Sequence, residues 1–140
     1  MSFEPLSLRF EKVLERAFEL GAETIEVTGT DSGLALALFL TQASPTSTLG
    51  RERQLIIVPT ARDAANLETQ IRFFDPATPV SILPAFDVSP YSGLYPNARS
   101  ISGRVRWAYE ARNLEDRGFF IAPIEGLLQR TIPPARLKAL

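Results

Sequence analysis

QLIIVPTARDAANLETQIRFF, residues 54–74, changes its period halfway along. Leu55 to Val58 is an unbroken apolar run closed by Pro59, the pattern of a parallel strand buried on both faces. From Ala61 the period becomes helical. Ala64, Leu67, Ile71 and Phe74 recur three or four positions apart and share one face. Thr60 stands at the junction, where a hydroxyl can cap the helix, and Asp63 sits in the first turn, where a negative charge meets the positive end of the helix dipole. The stretch reads as one strand–helix unit.

The same alternation extends in both directions. Residues 7–20 read as a helix, with Phe10, Val13, Leu14, Ala17 and Phe18 at helical spacing and Gly21 as its stop. TIEVT (24–28) reads as a strand. LALALFLTQA (34–43) is apolar all round and reads as a helix buried on several sides. A polar loop over 45–53 leads to the strand 54–60. On the far side follow a strand over 79–84, a Pro- and aromatic-rich connection over 84–97, a helix over 98–115, a strand over 118–123 and a helix over 124–130 stopped by Pro133 and Pro134. In the helix over 98–115, Ile101, Val105, Ala108 and Tyr109 mark the expected inner face. Apolar strands alternating with helices predict an α/β fold: one domain over 1–140, a parallel sheet of about four strands, and helices on both faces.

Apolar residues make up 45% and charged residues 22% of the 140, an ordinary globular mixture, and the net charge of −1 supplies no general field for nucleic acid or an anionic membrane. With neither cysteine nor histidine, the chain excludes thiol catalysis, disulfides, Cys/His zinc sites and histidine triads. No apolar run approaches the roughly 18 residues of a membrane span, and the first residues lack the apolar core of a secretory signal. A cytoplasmic location is expected.

Three stretches are candidate sites. EVTGTDSGLALALFL (26–40) has the layout of a phosphate loop: a strand-like lead-in, a Gly-containing turn and a helix. Such a loop needs a Lys for the β- and γ-phosphates and a hydroxyl for Mg²⁺. The frame Thr28, Gly29, Ser32, Gly33, Leu34, Ala35 keeps the glycine and the helix start, puts Thr28 at the first glycine position, and has Leu34 and Ala35 where the Lys and hydroxyl belong. Asp31 adds a charge that repels phosphate. This loop is expected to be empty of cofactor and metal, with Thr30, Asp31 or Ser32 capping the helix. The Pro59–Thr60 turn is the second candidate, since strand–Pro–Thr–helix junctions touch backbone phosphates in nucleic-acid motors; an ordinary capped βα turn is the favoured reading. The third is the connection over 84–97 with the helix after it. Phe86, Tyr91 and Tyr95 can stack on bases, and Arg99, Arg104, Arg106 and Arg112 can take phosphates. The favoured alternative has the rings pinning the connection to the domain and the arginines on a solvated face, partly paired with Glu110, Glu115 and Asp116. No strand end carries an acid pair for Mg²⁺, and no catalytic constellation stands out.

The order of these pieces is informative. LIIVPT, ILPAFDVSPYSGLYPNARSISGRVRWAYEA and FFIAPIEGLLQR together resemble the UvrB-like N-terminal module of bacterial transcription-repair coupling factors (Mfd), over about 24–134. The likeness is densest at 83–106, where Leu-Pro, Phe86–Asp87, Pro90–Tyr91 and an Ile-Ser-x-Arg element (Ile101, Ser102, Arg104) keep the family's order. Phe86 departs from the Trp usual at that position. The resemblance implies a helicase-like domain with a degenerate phosphate loop and no catalysis of its own. It also implies that 1–140 is the first part of a longer chain, whose UvrA-recruiting segment begins near or after 134. RNA polymerase, DNA, ATP and Mg²⁺ would then be handled by later domains of a translocase.

Overall fold

A computed structural model describes residues 12, 16, 24, 26–28, 30, 32–42, 53–89, 91–113, 118–131 and 133. Its elements are α1 (Gly33–Gln42), β1 (Arg53–Val58), α2 (Ala61–Phe74), β2 (Val80–Ile82), α3 (Ala98–Asn113), β3 (Gly118–Pro123) and the short α4 (Ile124–Leu127). Lys12 and Arg16 are helical; the remainder of the helix expected over 7–20, and most of the loop over 45–53, lie outside the described residues.

The α/β reading holds. Among the described residues the sheet has three strands in the order β1-β3-β2, all parallel. Leu55 pairs with Phe120, and Ser81 pairs with Phe120 from the other side. The chain steps from β1 across β3 to β2, then back to β3. Crossovers of one hand that move in opposite directions must lie on opposite faces. So α2 covers one face and α3 the other. Ala64, Leu67 and Ile71 of α2 form the core with Val58, Phe119 and Ile121, and Ala37 of α1 joins them. Across the sheet, Trp107 of α3 meets Phe120 edge-to-face at 5.9 Å. β3 is buried along its whole length, as its GFFIAP run predicts. Burying Phe119, Ile121 and Ile71 completely stabilises the fold by about 1.5–3 kcal/mol each.

Several expectations are revised. Thr24, Glu26, Val27 and Thr28 carry no strand and are exposed, so a fourth strand is not among the described elements. TIEVT offers only Ile25 and Val27 as apolar residues, and a parallel sheet buried on both faces rewards such a half-polar segment little. β1 is not buried on both faces as its apolar run predicts: it is an edge strand, and Leu55 and Ile57 are each 58% exposed. It stops at Val58 rather than 60, because Pro59 has no N–H for the ladder and Thr60 turns to cap α2. α1 buries Ala37 and Thr41 but leaves Leu34 exposed, so it is covered on fewer sides than its composition suggests. α4 ends at Leu127, short of 130. On α3 the expected inner face holds in part, with Val105 and Ala108 half-buried. Ile101 and Tyr109 are exposed, whereas Ser100 and Arg104 are buried.

Candidate functional site

In a parallel sheet the turns that follow the strands gather at one edge, where ligands of such folds bind. Here that edge collects Thr60 after β1, Phe86 and Asp87 after β2, and Glu125 after β3.

The entrance to α2 is closed by the chain's own groups. Thr60 Oγ1 accepts from the Asp63 N–H at 3.2 Å, and the Asp63 carboxylate accepts from the Thr60 N–H at 3.2 Å, a reciprocal capping box. The Thr60 hydroxyl also donates to Asp63 at 2.7 Å. From the turn after β3, Glu125 Oε1 accepts from the Ala61 N–H at 3.0 Å. Two carboxylates thus occupy the positive end of α2, where an incoming phosphate would have to bind.

The entrance to α1 differs. Ser32 is its cap: Ser32 Oγ accepts from the Ala35 N–H at 3.2 Å, and the Ser32 carbonyl from the Leu36 N–H at 3.1 Å. Thr28, Ser32 and Gly33 are exposed, and Leu34, at the cation position, is 53% exposed. Gly29 and Asp31 lie outside the described residues. Gly33 has a packing role here, because a Cβ on it would come within 2.5 Å of the Gln70 side-chain oxygen of α2, forcing that amide aside.

The connection over 84–97 and the start of α3 form the densest polar cluster. Arg104 is 5% exposed and clamps backbone from two sides. Its Nη1 donates to the Pro84 carbonyl at 2.7 Å, while Nη2 reaches the carbonyls of Gly126 (3.1 Å), Gln129 (3.2 Å) and Arg130 (3.4 Å). The guanidinium also lies 4.7 Å from the Phe86 ring centroid. Burial pulls its pKa below the usual arginine value, yet an arginine stays charged. A planar five-donor fork can serve several carbonyls at once, which a lysine cannot. Close approach makes this possible: a Cβ on Gly103 would sit 2.9 Å from the Pro84 ring, so only glycine lets α3 lie against that turn.

Asp87 closes the connection. Its carboxylate accepts from the Asn97 backbone N–H at 3.1 Å, the Asn97 side-chain amide at 2.9 Å and the Ser100 hydroxyl at 3.2 Å. Asn97 caps α3 by accepting from the Ser100 N–H at 2.7 Å. The Asn97 N–H leads the donors that hold Asp87 below its ordinary carboxylate pKa. Gln129 fastens the other side, accepting from the Phe86 N–H at 2.6 Å.

These contacts sort the candidates. Arg104, a candidate phosphate ligand, belongs to the interior and is unavailable to any partner. Arg106 stays on the surface and pairs with Glu110 at 2.6 Å, which raises its pKa. Burial pushes Glu110 up, but its bonds from Arg106 and Ser81 outweigh that and lower it. Arg99 is exposed. Phe86 does pin the connection, whereas Tyr91 and Tyr95 are 95% and 94% exposed and pin nothing. Glu115 and Asp116 lie outside the described residues. Sequence reading missed Asn97, Gln129 and Glu125. Asn97, three residues before Ser100 at a helix start, carried a legible capping signal; the other two act across 43 and 64 residues and carried none.

Among the described residues no cluster of three or more acidic, Cys or His side chains could hold a metal ion, and no helix is long and apolar enough to cross a membrane. The chain matches no family model, no characterised protein and no solved structure.

Proposed function

We propose that this chain is a non-catalytic, UvrB-like module of a transcription-repair coupling factor. In this reading it carries and orients a neighbouring UvrA-recruiting segment and helps hold the parent protein in a resting form. UvrA and RNA polymerase are contacted by neighbouring domains. DNA, ATP and Mg²⁺ belong to a translocase later in the parent chain.

One observation carries the reading. The turn into α1 has an exposed Leu34 and then Ala35 where a motor needs an ammonium group and a hydroxyl. In this reading the scaffold lacks the two groups with which a motor holds a triphosphate and its metal. The entrance to α2 supports the same view, since Asp63 and Glu125 stand where a motor's helix would meet a backbone phosphate. The Ile-Ser-x-Arg element that carries much of the resemblance ends in Arg104, and that arginine is a clamp within the fold.

Calorimetry tests it. Titrating the chain with Mg-ATP is expected to give no heat of binding. Measurable affinity that disappears when Ser32 and Gly33 are changed would overturn the reading in favour of an ATP-binding half of a superfamily 2 helicase.

A further inference from the structure

The tip of the 84–97 connection and the segment after α4 enclose a cavity of about 510 Å³. Phe86, Val88, Leu94 and Pro96 line it from the connection, Leu128 and Arg130 from the other side. Around it, large side chains stand in water: Tyr91 and Tyr95 almost wholly, Leu128 at 83% and Leu94 at 68%. A cluster of exposed tyrosines and leucines around a concave pocket has the composition of the central part of a protein interface.

The tip is already shaped. The Ser89 carbonyl accepts from the Ser92 N–H at 3.1 Å and from the Ser92 hydroxyl at 2.7 Å, and the Asp87–Asn97 bonds close the base below it. A ligand would therefore not bear the entropy of ordering the connection. Among the described residues Arg130 is the one charged side chain in the lining. Asp87 lies next to Phe86, but its carboxylate is turned to Asn97 and Ser100.

We propose that this cavity docks a short segment of a partner protein: an apolar or aromatic side chain enters between Phe86, Leu94 and Leu128, and a neighbouring carboxylate pairs with Arg130. Single-stranded nucleic acid would need a row of cations for successive phosphates. Among the described arginines nearby, Arg104 is held by backbone carbonyls and Arg106 pairs with Glu110, which leaves the exposed Arg99 and Arg130 rather than a row. The proposal is independent of the coupling-factor reading, since it rests on the shape and charge of the cavity alone.

The test is an amide-resolved NMR titration of the whole 140-residue chain with an acetylated, amidated Gly-Asp-Leu-Trp-Asp-Gly peptide. Parallel arms use the same peptide with Lys for both Asp, and a short oligothymidylate. Saturable shifts confined to 86–96 and 128–130 are expected with the acidic peptide. Leu94→Ser should weaken that binding about tenfold, as truncation of an interface anchor does. Arg130→Ala should erase the preference for the acidic over the basic peptide. Spectra of both variants that match the parent chain away from the cavity establish that they fold. Absence of saturable shifts, equal binding of the two peptides to the parent chain, or tighter binding of the oligothymidylate would overturn the proposal.

Discussion

The base and the tip of the 84–97 connection use the same residue types for opposite purposes. At the base, Phe86 stacks on a buried Arg104 and Asp87 accepts three hydrogen bonds. At the tip, Tyr91 and Tyr95 stand in water beside a cavity lined by Arg130. Rings followed by arginines within 84–112 suggest, in the sequence alone, one nucleic-acid surface running from base to tip. The structure separates base from tip by hydrogen bonding. A buried guanidinium facing carbonyls from Pro84, Gly126, Gln129 and Arg130 is committed to holding two segments together. The tyrosines at the tip have no such commitment and are free to meet something else.

That contrast can be broken most sharply at Arg104. Arg104→Ala leaves several carbonyls without a donor inside the protein and removes the ring contact with Phe86. Charge-assisted bonds of this kind contribute about 1.5–3 kcal/mol each, so a loss of about 3 kcal/mol or more is expected in urea unfolding. A change within a few tenths would return Arg104 to the solvated face and undo the distinction. Asp87 gives a smaller, pH-dependent effect. Its folded-state pKa lies below the ordinary value, so the stability it contributes is fully present above that ordinary carboxylate range and is lost as pH falls through the lowered folded value. Asp87→Asn should therefore lower the thermal midpoint at neutral pH, and the gap from the parent chain should close under strong acid. A gap that persists there would mean that packing, not charge, holds the base. The smallest effect belongs to the tip, where Tyr95→Ser should leave stability within about 0.5 kcal/mol, checked by the same urea titration. A larger loss would show that the tip also serves the fold.

The two helix entrances at the sheet edge repeat the lesson. Both follow from local chemistry legible in the chain: Ser32 before α1, and Thr60 with Asp63 at α2. Among the described residues only the second is sealed by a distant one, Glu125, which arrives because β3 lies beside β1. α2 itself was readable to the residue, since Ala64, Leu67 and Ile71 are apolar, regularly spaced and packed against Val58, Phe119 and Ile121 of the sheet. α3 was not. Trp107 packs on the sheet and Val105 and Ala108 are half-buried, but Ile101 and Tyr109 are exposed while Ser100 and Arg104 are buried. Hydrophobic periodicity finds a helix face that is buried for its apolar area. It misreads one that is buried to satisfy backbone carbonyls.

The sequence by itself determined the strand–helix alternation, the fully buried β3, the capped start of α2, and the lack of Lys and hydroxyl at the entrance to α1, because period, capping and composition are local properties. Only the tertiary structure decided that Arg104 is interior, that Glu125 closes α2, and that Tyr91 and Tyr95 are bare. Each of these depends on what distant segments bring, or fail to bring, into contact, and no spacing along the chain encodes that distance.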